Sequence, residues 1–356
     1  MQPKIAVLGA GGIGGSIGAY LLRSGQDVTL IDQWAAHIEA IRRDGLTLTD
    51  ANGDFTVPAK ALHLSEVSGL MEPFDIVFLS VKSYDTVWST HLIAPHLKPS
   101  GFILPAMNAL NDEPVAQVVG YSRTVGCVPT ISAGVYEPGH LVRTDPLTGH
   151  AFTVGELCGI ITPRVQWVVE ALQVIGPSEA TTNIWGARWS KMIWNCMGNA
   201  LAGLMGPDAK LTPEEETLRD LISVIAGSEA ARIALHLGVV LAPVNGLYLE
   251  EFAQATTRCE MEALAAKLAQ ARSSRRLTPE QARRVRVPGR PSLLQDVIKR
   301  RRTEVEYLNG DIVRRGKEMG LPTPMNEAIV SLMLQVERGE VTPGVANLRR
   351  LEFYLP

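Results

Sequence analysis

Residues Lys4–Gly18 read KIAVLGAGGIGGSIG. Ile5–Leu8 is a short apolar run of the kind that makes a buried parallel strand, and Gly9, Gly11 and Gly14 follow it in G-x-G-x-x-G register. The spacing predicts a strand leading straight into a helix. The first glycine permits the tight turn, the second lets a pyrophosphate approach the backbone, and the third lets helix and strand pack closely. The turn Gly9, Ala10, Gly11, Gly12, Ile13 and Gly14 is therefore expected to hold phosphates on free N–H groups at a helix N-terminus. A helix over Ile13–Ser24 should stop at Gly25, and a second strand, Asp27–Ile31, then delivers Asp32 where an acid meets the adenosine ribose. A carboxylate there accepts hydrogen bonds from a 2′-hydroxyl and repels a 2′-phosphate, so Asp32 points to NAD rather than NADP.

The rest of the composition narrows the class. A chain of 356 residues, 46% of them hydrophobic, suffices for two domains with sizeable cores. A net charge of -3 argues against a dedicated binder of nucleic acid or membrane surfaces. Cys127, Cys158, Cys196 and Cys259 lie without C-x-x-C spacing, which indicates neither a zinc site nor a disulfide framework and fits a reducing cytoplasm. The N-terminus lacks the basic and uninterrupted apolar regions of a signal peptide, and no run is long enough to span a bilayer.

Strand and helix patterns alternate through the first half. Helical stretches are expected at Ala35–Arg43 and Tyr84–Leu97, and strands at Asp75–Ser80, Gly101–Pro105 and Thr124–Pro129, with β-like fragments through Val135–Gly155. That alternation predicts a doubly wound parallel sheet over residues 1–180. From Ile184 onward only helical patterns remain, which makes 181–356 an all-α domain. Arg272–Arg290, with seven arginines and one acid, reads either as a solvated loop or as a contact for an anion. The apolar tail Leu351–Leu355 is expected to dock on the helical domain.

Chemistry concentrates in Ile184–Met205, read as one helix. Lys191, Asn195 and Asn199, four residues apart, fall along one face, and most of the remainder is apolar. Such a stripe is expected either to face a cleft or to form a satisfied polar seam. A nicotinamide enzyme that reduces a carbonyl needs a proton donor for the developing alkoxide, and Lys191 suits that task with Glu304 as its acid.

Several separated motifs resemble the ketopantoate reductases (2-dehydropantoate 2-reductases): GAGGIG at the N-terminus, SVKSYDT around Lys82, MNALND around Asn108, RWSKMIWNCMGNAL around Lys191, PSLLQDV at Ser292, TEVEYLNG around Glu304 and LPTPMNE near the C-terminus. The resemblance implies a Rossmann-type domain followed by a helical domain like the C-terminal part of 6-phosphogluconate dehydrogenase. It implies that Lys191 is the general acid, that Glu304 lies beside cofactor and substrate, that Asn195, Asn199 and Ser292 hold the substrate, that Asn108 contacts nicotinamide and substrate, and that Lys82 helps bind cofactor. On a straight helix Ser292 and Glu304 would stand about 18 Å apart. A break near Lys299–Arg302, with Thr303 capping the next helix, is therefore expected.

Departures from the family pattern cluster at the expected pocket: Ala109 where Asn-Gly is usual, Pro291 before the serine, and Gly289 in place of a substrate-binding asparagine. The leading reading is a cytoplasmic NAD(P)-dependent oxidoreductase that interconverts a 2-keto acid and its 2-hydroxy acid. A dehydrogenase of a bulkier or aromatic secondary alcohol is the alternative on the same scaffold, and a non-catalytic dinucleotide sensor is the alternative of another class. A small molecule is the expected partner, with neither nucleic acid nor membrane; a homodimer is left open.

Overall fold

The computed structural model describes residues 2–273 and 276–355. The chain divides into two compact units, Met1–Ile184 with Arg275–Gly289, and Trp185–Ser274 with Arg290–Pro356.

The strands of the first unit are β1 (Lys4–Leu8), β2 (Asp27–Asp32), β3 (Leu46–Asp50), β4 (Gly53–Val57), β5 (Lys60–His63), β6 (Phe74–Leu79), β7 (Leu97–Pro105), β8 (Val125–Pro129), β9 (Ala133–Glu137), β10 (His140–Arg143), β11 (Phe152–Glu156) and β12 (Ser178–Ala180). Its helices begin with α1 (Gly12–Arg23), α2 (Ala35–Asp44), α3 (Thr86–Ile93), α4 (Asp112–Val119) and α5 (Pro163–Leu172). Five strands form an all-parallel sheet in the order β5-β2-β1-β6-β7. Ile5–Leu8 of β1 and Ile76–Leu79 of β6, in the middle of the sheet, read as continuous apolar runs because both faces are covered. Alternate residues of β1 go to opposite cores: Ile5 and Val7 pack with Ile17 of α1, Ile38 of α2 and Val165 of α5, while Ala6 and Leu8 pack with Ile93 of α3 and Val115 of α4.

The doubly wound sheet stops at β7. Thr124–Pro129, expected to continue the alternation, forms β8 from Val125 onward; it pairs antiparallel with β11 in a three-stranded sheet and packs beside β7, to which an isolated bridge between Ile103 and Thr124 links it. A third sheet, β4-β3-β10-β9, packs against α1. The stretch Tyr84–Leu97 is shorter as a helix than its pattern suggests, because 3₁₀ turns at Ser83–Asp85 and Ala94–His96 flank α3.

The second unit holds α6 (Ile184–Cys196, whose first residue belongs to the first unit), α7 (Asn199–Met205), α8 (Pro213–His236), α9 (Leu249–Gln254) and α10 (Arg258–Ser273). After the excursion to the first unit it resumes with α12 (Ser292–Ile298), α13 (Asn309–Met319), α14 (Pro324–Glu337) and α15 (Asn347–Leu351). Among the described residues it contains no strand. The excursion carries α11 (Pro279–Val285) and corrects the expectation of a solvated loop. Thr278 and Gln281 form a capping box, Val285 is buried, α11 packs on β3, and Arg284 donates to the Ala51 carbonyl at 3.4 Å. Ser274 and Arg275 of the arginine-rich stretch lie outside the described residues.

The tail splits similarly. Leu351 is buried and Leu355 half-buried, but Phe353 between them is 88% exposed, so Leu351–Leu355 docks only in part.

Candidate active site

The glycine turn meets the demands of a dinucleotide. Gly9 has φ +96°, and a side chain there would strike the Ser80 carbonyl at 2.5 Å. A Cβ on Gly14 would lie 2.1 Å from the Gly9 carbonyl and 2.9 Å from Val7, which enforces close packing of helix on strand. At Gly11, by contrast, nothing lies within 4 Å. Two glycines are thus spent on packing and the one between them leaves open space, as an approaching pyrophosphate requires. No side chain caps the first turn of α1, and no acid lies in it. Asp32 ends β2, and its carboxylate accepts the Trp34 N–H at 2.9 Å.

His37 supports this turn and went unnoticed in the sequence. The Gly139 N–H donates to its Nδ1 at 2.8 Å, so Nε2 carries the hydrogen and donates to the Ala10 carbonyl at 3.1 Å. The ring is 1% exposed. No spacing rule marks such a residue, because its partners are 27 and 102 positions away.

Lys82 and Asn108 follow β6 and β7, at the carboxyl ends where open α/β sheets bind ligands. Asn111 joins the two loops. Its Nδ2 donates to the Asn108 carbonyl at 2.6 Å and to Ser83 Oγ at 3.0 Å, and its Oδ1 accepts from Thr86 at 3.0 Å. Ala109 beside Asn108 has φ +64°, a conformation that glycine adopts far more readily.

In the helical unit, Lys191 and Asn195 lie on α6, with Lys191 partly exposed and Asn195 buried. The single helix expected over Ile184–Met205 is broken: α6 ends at Cys196 and α7 begins at Asn199, with Gly198 at φ −143° and ψ −36° between them. Asn199 therefore opens a new helix rather than extending the α6 stripe. The break has stabilising partners. Asn309 Nδ2 donates to the Cys196 carbonyl at 3.2 Å, while Arg272 donates to the Met197 carbonyl at 3.0 Å, so two of the carbonyls released at the helix end are satisfied. Asn309 is itself held at 2.8 Å by Asn326, whose N–H groups donate to the buried Glu229 carboxylate.

Asn199 meets Ser292 across 93 positions of sequence, its Nδ2 lying 3.2 Å from the serine Oγ. Ser292 is the first residue of α12, after the N-cap Pro291. The expected interruption before Glu304 is present. After Ile298 the backbone passes through Arg300 at φ +51°, and Thr303 Oγ1 accepts the Val305 N–H at 3.2 Å. Thr303 is anchored in turn, its N–H donating to Glu337 at 2.9 Å. The element that follows is a 3₁₀ turn, Val305–Tyr307, rather than an α-helix, and the buried Glu304 is its N-cap. Among the described residues no cluster of His, Cys, Asp and Glu has the makings of a metal site, and no helix is long and apolar enough to cross a membrane.

The family described as Ketopantoate reductase PanE/ApbA matches residues 5–158, and its C-terminal counterpart matches residues 183–337. A 2-dehydropantoate 2-reductase of Archaeoglobus fulgidus is 28% identical over 339 residues, covering 94% of this chain and 98% of its own. The crystal structure of a PanE/ApbA family ketopantoate reductase from Ralstonia eutropha JMP134 superposes with a TM-score of 0.71 at 25% identity, over 95% of this chain and 99% of that one. A ternary structure of D-mandelate dehydrogenase with NADH and anilino(oxo)acetate shares the fold at a TM-score of 0.74 and 22% identity, over 94% and 99% of the two chains.

Proposed function

As the chain belongs to the ketopantoate reductase family and is a nicotinamide-dependent oxidoreductase of CH–OH groups, we propose that it reduces a 2-keto acid to the 2-hydroxy acid with Lys191 as proton donor. The dinucleotide, when bound, supplies a hydride to the carbonyl carbon. The carbonyl oxygen gains negative charge as the C–O π bond breaks, and the Lys191 ammonium meets that charge and passes a proton to the oxygen. Asn195, Asn199 and Ser292 hold the acid and its neighbouring hydroxyl or carbonyl, while Glu304 orients the lysine. On the nucleotide side, Gly9–Gly14 cradles the pyrophosphate, Lys82 and Asn108 hold the nicotinamide half, and Asp32 takes the ribose hydroxyls and selects NAD.

The observation that carries the substrate assignment is the Asn199–Ser292 pair, 3.2 Å apart. It joins two motifs, distant in sequence, through a polar contact at the first residues of α7 and α12. A panel including 2-dehydropantoate and benzoylformate, followed at 340 nm with NADH and with NADPH, tests the reading. Turnover of at least one keto acid, faster with NADH, is expected. Cofactor binding without turnover of any would overturn it.

A further inference from the structure

The sequence of Ile184–Met205 favours one uninterrupted helix, yet the chain breaks it at Met197–Gly198. Something outside the segment must keep the carbonyls there from returning to the helical ladder. Arg272, at the end of α10, is built for that purpose. One arm of its guanidinium reaches Asp220, and another donates to the Met197 carbonyl at 3.0 Å and to Ser223 Oγ at 2.9 Å. Asp220 is 7% exposed and Ser223 fully buried, so two of the fork's partners lie in the interior. Asp220 also accepts from Arg219 at 2.9 Å, and Ser223 donates to the Arg219 carbonyl at 2.8 Å. Burial lowers the Arg272 guanidinium to about 10, but beside Asp220 it stays cationic at neutral pH. The Arg272 guanidinium also lies 3.7 Å from where a side chain on Gly198 would begin, so it packs along the break itself.

We propose that Arg272 is a positioning residue of the substrate pocket: by holding the Met197 carbonyl it keeps α6 and α7 apart and so fixes Asn199 against Ser292, separately from Asn195. This rests on the reading that Asn195, Asn199 and Ser292 hold the keto acid. Without the fork, Asn309 alone holds the break through the Cys196 carbonyl; the Met197 carbonyl is released toward its intrahelical donor, and Asn199 shifts away from Ser292.

The test compares Arg272→Met, Arg272→Lys, Asn199→Ala and the double variant Arg272→Met/Asn199→Ala in steady-state kinetics, using whichever keto acid of the panel turns over, together with NADH titrations by fluorescence. Arg272→Met is expected to raise KM roughly tenfold, the loss of one charge-assisted hydrogen bond, with kcat and NADH affinity within twofold of the parent. Arg272→Lys should recover part of the loss. The double variant should show the KM of Asn199→Ala alone, a non-additivity that general destabilisation does not produce. Should Arg272→Met fail to fold, Arg272→Lys decides, with a KM at least threefold above the parent expected. A parental KM in every folded Arg272 variant, or additive effects in the double variant, overturns the proposal. A parental KM in Asn199→Ala overturns it differently, by showing that the substrate reading itself fails.

Discussion

The glycine turn of the first unit and the broken helix of the second are both interruptions of regular structure, but they are made by opposite means. At Gly9–Gly14 the interruption is made by absence: Cβ atoms at Gly9 and Gly14 would lie 2.5 Å and 2.1 Å from backbone oxygens. At Met197–Gly198 it is made by presence, since Arg272 and Asn309 arrive from far along the chain to take the carbonyls. The first kind is written into the residues of the turn itself, which need only lack side chains where Ser80 and Val7 come close. The second depends on the whole helical unit being assembled.

Substitutions sharpen the contrast. The largest effect belongs to the helical unit's chemistry: Lys191→Ala should lower kcat by about 10²–10⁴-fold while leaving NADH affinity intact, as measured by turnover and fluorescence titration. Parental turnover would remove the proton donor from the mechanism. Next comes the turn itself. Gly14→Ala forces a methyl into a packed backbone contact and should cost about 1–3 kcal/mol, read as weaker NADH binding and a lower melting temperature.

A structural ion pair of the first unit calibrates these. Burial raises the Glu156 carboxyl, but hydrogen bonds from Arg164 and Thr162 outweigh it and hold the group below the usual glutamate range. Its stabilisation is thus complete above the unfolded pKa of about 4.3 and is lost as pH falls through the lower folded value. Glu156→Gln should cost about 1.5–3 kcal/mol at pH 7 and flatten the acid limb of a melting curve taken from pH 6 to pH 3.

Two smaller changes probe the nucleotide side. Asp32→Asn should shift the NADH-to-NADPH ratio of kcat/KM toward NADPH by about tenfold, near 1.4 kcal/mol. Ala109→Gly relieves a left-handed backbone at a gain of less than about 1 kcal/mol, because glycine loses more freedom on folding, and denaturant unfolding should report it.

The same contrast explains what was legible beforehand. Ile5–Leu8, the glycine register and Asp32 announced the parallel sheet because strand, turn, helix and second strand follow one another within a single βαβ unit at a fixed spacing. The interruption between Ser292 and Glu304 was legible for a different reason, since two motifs on one straight helix would stand too far apart. The end of α6 at Cys196 was not legible, because a lone glycine within an apolar helical pattern does not stop a helix. The deciding groups lie 75 and 113 positions away. His37 and Asn111 were hidden likewise, as each works by hydrogen bonds between loops that only the folded sheet brings together. The arginine-rich stretch looked like a solvated loop because its charges mask Val285, the one apolar residue of α11 that is buried.

That stretch has a consequence for how the molecule is born. The segment that covers β3 is encoded beyond residue 275, after most of the helical unit, so a growing polypeptide leaving the ribosome cannot finish its nucleotide fold when residue 184 emerges. The first half must wait, incomplete along β3, while the next hundred residues are translated, and the two halves reach maturity in an interleaved order rather than one after the other.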